Sequence, residues 1–375
     1  MPQTPLHALN AAGQSIWLDY IDRTLVQSGE LARRIDADAL TGMTSNPTIF
    51  EKALAQGTAY DEQLASLAGA STPWAIFEAI ETDDVRAACD VFRGVYDATG
   101  GNDGYVSIEV SPGAAHDPDG TVQEAHRLWK SVARPNVMIK VPGTPAGCVA
   151  LRRLIADGIN VNVTLLFSCA AYADVIDAYL AGLEDRVATG GDVSHVASVA
   201  SFFVSRVDSE IDKRLEALGT PAARLLRGTA AVANAKMAYA LFGERFAGPR
   251  WAALSAKGAR VQRPLWASTG TKNPDYSDVK YVDALIGPHT VNTLPPATLD
   301  AFRDHGTVAR TVDADVEAAR DALARIEALG IALDAVTDKL LVEGLDAFQK
   351  SFDSLLAGIE RKMVALGRAA HARSG

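Results

Sequence analysis

Short runs of β-branched and apolar residues recur along this chain, and longer stretches with helical spacing separate them. The runs lie at 15–21, 40–46, 105–110, 136–141, 160–167, 196–204, 263–269 and 281–293. Between them stand helical patterns such as PWAIFEAIETDDVRAACDVFRGVYDA and SCAAYADVIDAYLAGLEDRV. Strands that alternate with helices imply a parallel sheet, because neighbouring parallel strands need a long crossover and the helix supplies it. Repetition of the unit about eight times predicts an α/β fold of the closed (β/α)8 TIM-barrel type, with an open doubly wound sheet as the alternative. From residue 313 the pattern is helical only, and no Pro, Gly or Ser-rich linker precedes it. The reading is one domain over 1–375, its 313–375 helical extension packed on the barrel; a helix that binds a partner is the other reading of that tail.

Composition bounds the function. Lys and Arg number 36 against 46 Asp and Glu, a net charge of −10, and no strongly basic stretch occurs. That argues against nucleic acid as partner but leaves room for a small anion in a locally positive site. The cysteines, Cys89, Cys148 and Cys169, are odd in number and show no CxxC spacing, which fits a reducing cytoplasm. The N-terminal MPQTPLHALNAAG has no basic region followed by an apolar core, and no apolar run reaches membrane-spanning length. A cytoplasmic chain without membrane contact is expected. The seven histidines show no metal-type spacing, so no metal is expected, and no GxGxxG follows the first strand. His289, the histidine nearest a strand, reads as structural.

Polar residues stand near the ends of nearly all these runs. They are Asp19; Thr44, Ser45 and Asn46; Glu109; Lys140; Asn162 and Thr164; Ser201 followed by Arg206; and Ser268 and Thr269 followed by Lys272. Each alone has an ordinary explanation: a carboxylate in a structural ion pair, an amide satisfying a loop, a cation in solvent. In a barrel, however, the C-terminal ends of the strands converge on one site. Lys140 is the most unusual, since it interrupts Val137, Met138, Ile139 and Val141. An amine attacks a carbonyl only when neutral, and an ordinary lysine has a pKa of about 10.4. Burial disfavours a charged amine, so this placement suits a lysine that forms an imine, with the imine as electron sink for making or breaking a carbon–carbon bond. Asp19 and Glu109 are candidate proton carriers. Arg206 and Lys272, with Ser268 and nearby amides, suit a substrate phosphate.

The segments carrying these residues resemble the transaldolase family. The resemblance runs through WLDYIDR, GMTSNPTIFEKAL, VSIEVSP, MIKVPGTPAGCVAL, GINVNVTLLFS, VASVASFFVSRVDSEID, LWASTGTKNP and IGPHTVNTLP, from about residue 15 to 305. Length and the long second half resemble the larger subfamily of plants and many bacteria. The resemblance implies a (β/α)8 barrel working without a cofactor. It implies Lys140 as the Schiff-base lysine, Asp19 as acid/base at the sugar hydroxyl, and Glu109 with Thr164 as holders of a catalytic water. It further implies Asn46, Asn162 and Ser201 as binders of sugar hydroxyls, with Thr44 beside the first, and Arg206 as a phosphate ligand. Many smaller members place a second arginine after the seventh strand where this chain has Lys272, a point charge without the bidentate fork. Ser205 likewise replaces a small residue usual in smaller members. The activity implied is transfer of a dihydroxyacetone unit between sedoheptulose 7-phosphate or fructose 6-phosphate and glyceraldehyde 3-phosphate or erythrose 4-phosphate. An aldolase releasing dihydroxyacetone and a non-catalytic sugar-phosphate-binding barrel are the alternatives. A homodimer is a possible assembly.

Overall fold

The computed structural model describes residues 4–55, 57–67 and 72–374. The first three residues of the N-terminal stretch and the last residue of the tail read above lie outside it. Eight parallel strands close on themselves in sequence order. They are β1 (Gln14–Asp19), β2 (Gly42–Thr44), β3 (Tyr105–Glu109), β4 (Val137–Pro142), β5 (Val161–Leu166), β6 (Ser198–Phe203), β7 (Arg263–Ala267) and β8 (Thr290–Leu294). This is the expected (β/α)8 barrel, not the open sheet.

The eighth strand is shorter than expected. Residues 281–293 read as one run, but Lys280–Asp283 is a helical turn and only Thr290–Leu294 is strand. Gly287 and Pro288 interrupt the run, and proline lacks the N–H a ladder needs. β2 is also trimmed, because Asn46 accepts a hydrogen bond from the Ile49 amide at 3.1 Å and Pro47 opens the helix Pro47–Ala55.

Side chains alternate along each strand, and the alternation sorts the barrel interior by height. Trp17, Tyr105, Met138, Val199, Leu265 and Val291 form an apolar cluster of their own inside the barrel. Two positions further along their strands come Asp19, Ser107, Lys140, Ser201, Ala267 and Thr293. The lower interior is therefore a dry floor and the upper interior a polar cup. At the floor's base Asp103 accepts from the Trp17 indole at 2.8 Å, is bonded by Ser15, and lies 3.6 Å from the Arg263 guanidinium. The outer faces of the strands join a larger apolar core with the surrounding helices.

The helical tail consists of Val316–Ala328 and a 42-residue helix, Leu333–Ser374. At 1.5 Å per residue the latter is about 63 Å long. It crosses the C-terminal mouth of the barrel. Lys339 is bonded to Glu210 at 2.7 Å on one side, and Lys362 to Asp61 at 2.7 Å on the other. Thr48 donates to Ser351 at 2.9 Å, and Phe352 packs on Trp74 with ring centroids 5.0 Å apart. Among the described residues, no helix is long and apolar enough to cross a membrane.

The floor depends on one missing side chain. A Cβ on Gly42 would lie 2.5 Å from the Trp17 indole nitrogen, within the fully buried ring. Gly42→Ala should destabilise the chain by roughly 1–3 kcal/mol, as overpacking of a filled core does. Urea denaturation reads this; an unchanged midpoint would mean that Trp17 has room to shift.

Candidate active site

Lys140 and Glu109 are register partners on β4 and β3, and Asn162 on β5 is the next partner of Lys140. The three inward side chains are therefore set side by side by strand pairing alone. Lys140 Nζ lies 3.3 Å from Glu109 Oε2 and donates to the Ser45 carbonyl, also at 3.3 Å. Both charged residues are only 8% exposed. Asp19 and Thr44 are register partners on β1 and β2, and Thr44 Oγ1 donates to Asp19 Oδ1 at 2.8 Å.

These groups line one cavity of about 580 Å³ at the C-terminal mouth. Of the residues expected at the site, Asp19, Thr44, Asn46, Glu109, Lys140, Thr164, Ser201, Arg206, Ser268 and Lys272 all line it. Asn162 does not; it is wholly buried beneath the surface of the cup, donating to Ser107 at 3.0 Å and accepting from Ser201 at 2.7 Å. His289 is exposed at the opposite end of the barrel, just before β8. The start of helix Pro145–Asp157 is capped by Thr144, which accepts from the Gly147 amide at 2.9 Å.

The carboxylates feel their burial. Desolvation raises the pKa of Asp19, opposed by the nearby Lys140 charge and the Thr44 hydrogen bond. Desolvation also raises Glu109, again opposed by Lys140, while Asp19 adds to the rise. A carboxyl raised in this way holds a proton more readily than a surface one, which suits a group that must both give and take one.

A cationic corner lies on the β6–β7 side. Burial lowers the Arg206 pKa, and burial together with Arg206 lowers that of Lys272. Neither forms an ion pair among the described residues, although Glu343 contributes some attraction to Arg206. Two cations held together without a close counter-ion make a site for an anion. The segments carrying them are locked to each other: Tyr276 donates to Asp212 at 2.6 Å, and Lys280 to Asp208 at 2.9 Å. Two backbone irregularities shape the rim. Leu165 and Ser268 have φ of 61° and 55°, and the β5–β6 register shifts between Val163 and Leu166. Non-glycine residues in this region are strained, and such strain gathers at functional sites.

The sequence that builds this cup matches a known family over nearly the whole chain. A model described as Transaldolase/Fructose-6-phosphate aldolase matches residues 16–359. The chain belongs to that family. Proteins named Transaldolase from Mycobacterium ulcerans (strain Agy99) and from Saccharopolyspora erythraea are each 51% identical to it, over 97% and 96% of this chain and 98% and 97% of theirs. One from Thermobifida fusca (strain YX) is 50% identical over 96% of this chain and 99% of its own.

Sequence reading missed several parts of the wall. Thr293 of β8 meets Thr44 Oγ1 at 2.7 Å. Thr48, Ile49 and Lys52 come from the helix after β2, and Gly344, Ala347, Phe348 and Ser351 come from the terminal helix. The last four fall at helical spacing, so a stripe of Gly, Ala, Phe and Ser along one helix face was present as a signal. Gly344 permits the close crossing: a Cβ there would lie 3.0 Å from the Leu165 side chain and 3.7 Å from Arg206.

Glu81 was also missed. It lies on the helix Pro73–Ala98, is 3% exposed, and its carboxyl is raised well above 4.5 by burial and then by Glu109. A carboxyl raised in the folded state contributes stability below its unfolded pKa and loses it as pH climbs through the folded one. Glu81→Gln should therefore gain stability over the native chain as pH rises above the unfolded carboxyl's pKa toward pH 8. The gain should shrink to nothing toward pH 4.5. Denaturation curves across that range test this, and a gain independent of pH would contradict it.

Proposed function

We propose that Lys140 is the nucleophile of this transaldolase, and that the cup around it carries out the transfer through an imine. Full-length relatedness supports transaldolase activity, and the chain is a transferase moving a dihydroxyacetone unit between sugar phosphates. The observation that supports the residue roles best is the Lys140–Glu109 contact of 3.3 Å at the bottom of a cavity that also holds Asp19 and the two cations.

In this reading Lys140 Nζ adds to C2 of the donor ketose. Glu109, with the Thr164 hydroxyl and a water, protonates the departing oxygen, and loss of water leaves an iminium. Asp19 takes the proton of the C4 hydroxyl. The electrons of the C3–C4 bond pass into the iminium, C4 leaves as an aldehyde, and an enamine stays on Lys140. An acceptor aldehyde then adds by the reverse steps. Asn46 lines the cavity, its amide N–H₂ has no partner among the described residues, and it suits a sugar hydroxyl, as does Ser201. Asn162, fixed by Ser107 and Ser201, supports that hydroxyl from below. Arg206 is the principal phosphate ligand, with Lys272 and Ser268 beside it.

Transfer rather than release to water is favoured by the terminal helix, which walls the cup where the enamine would meet solvent. The same packing supports reading the barrel and its tail as one domain. A cytoplasmic homodimer is the assembly that fits the family resemblance, and sedimentation would test it.

Lys140→Ala should abolish turnover with the fold intact, and appreciable residual rate would sink the assignment. With the native chain, borohydride reduction after fructose 6-phosphate should leave a three-carbon adduct on Lys140 that disappears when erythrose 4-phosphate is added first. An adduct that persists with acceptor would favour the aldolase. Arg206→Ala should raise KM by about 10- to 100-fold, the worth of a charged hydrogen bond or two, with a smaller rise for Lys272→Ala. Equal effects would show that the two cations share the phosphate evenly.

A further inference from the structure

Thr293 has no role in the scheme above, yet it touches the machinery. It lies on β8 opposite Trp17 of β1, two residues beyond the floor residue Val291, and is 4% exposed. Its Oγ1 is 2.7 Å from Thr44 Oγ1, which is 2.8 Å from Asp19 Oδ1. Thr44 is 2% exposed, so both hydroxyls sit deep in the wall of the cup with each other as near partners.

Proton counting gives the chain a direction. An ionised carboxylate only accepts hydrogen bonds, and each hydroxyl has a single proton to donate. While Asp19 is ionised, Thr44 commits its proton to Asp19. Thr44 can then meet Thr293 only as an acceptor, and Thr293 must donate. The order is Thr293 to Thr44 to Asp19, across three adjacent strands. Threonine is stiff at χ1, so two threonines in series hold one geometry better than longer side chains would.

We infer that Thr293 is a positioning residue for the transfer reaction: by donating to Thr44 it locks the Thr44 hydroxyl onto Asp19 and holds that carboxylate in place to receive the sugar hydroxyl proton. This rests on the acid/base reading of Asp19 given above. Without the Thr293 hydroxyl, the Thr44 oxygen loses the donor that polarises it and anchors its side chain, so its bond to Asp19 weakens. The Thr44 bond is one of the interactions that favour ionised Asp19, so its loss shifts Asp19 toward the protonated form. The other titratable groups acting on Asp19 and its neighbour are Lys140 from β4 and Glu109 from β3, both untouched by the change.

The test compares Thr293→Val, which keeps the shape, with Thr293→Ser, which keeps the hydroxyl. For Thr293→Val with fructose 6-phosphate and erythrose 4-phosphate, kcat should fall about tenfold, the worth of one hydrogen bond to a charged group, with KM little changed. The acid limb of the kcat profile should move to higher pH. Thr293→Ser should restore both rate and profile. Borohydride trapping on Lys140 should remain intact in each variant, showing a folded site that still makes the imine. An unshifted profile in Thr293→Val, or a Thr293→Ser as impaired as the valine variant, would overturn the inference. Asp19→Asn and its double variant with Thr293→Val separate this from the underlying scheme. If Asp19→Asn turns over at the native rate, the acid/base reading fails and the inference with it. If Asp19→Asn is slow and adding Thr293→Val slows it tenfold again, Asp19 keeps its role but Thr293 does not act through it. No further slowing in the double variant is the expected outcome.

Discussion

Lys140 and Glu109 stand 3.3 Å apart inside a barrel, and each needs the other to be there. A buried ammonium alone costs several kcal/mol, and so does a buried carboxylate. Paired at that distance, with the Ser45 carbonyl as a further acceptor for Lys140, they offset much of that cost. The strands bring them together as register partners, so the contact is a property of the backbone rather than of loops. Everything else in the cup is arranged around that pair. The dry floor of Trp17, Tyr105 and Met138 keeps water from reaching it from below, and the second carboxylate, Asp19, stands across the cup.

Much of this was legible in the sequence because it rests on period-two patterning. A lysine within Val137, Met138, Ile139 and Val141 points inward if its apolar neighbours on one side do, and the barrel places it there. The same logic reached Asp19, Glu109 and Thr164, all of which line the cavity. It went less well where chemistry within a segment outweighs alternation. The run 281–293 looked like one strand, but the ladder begins only after Pro288, and the turn before it is held to Asp208 by Lys280 and Tyr281. Asn162 has the right phase for the cup, yet Ser107 and Ser201 close over it.

What escaped sequence reading came from contacts between distant segments. Thr293 looks like any threonine in a strand until β8 closes against β1 and brings it to Thr44, some 249 positions earlier. The terminal helix looked like a packing helix, and most of it is one, through Phe352, Leu355 and Ile359. Its contribution to the cup lies in a stripe whose meaning depends on which barrel face it crosses. Helical spacing reveals a face but not what that face meets.

The order in which these parts are made has a consequence of its own. Lys140, Asp19, Glu109, Arg206 and Lys272 lie within the first 272 residues, whereas Gly344 to Ser351 complete the wall. During synthesis the eight strands can emerge, close and assemble the cup before its cover exists. A ribosome that stalls after β8 would leave a barrel whose lysine is already in place but open to water and to any passing aldehyde or ketone. A helix made well after the barrel thus decides whether the Lys140 amine stands open or covered.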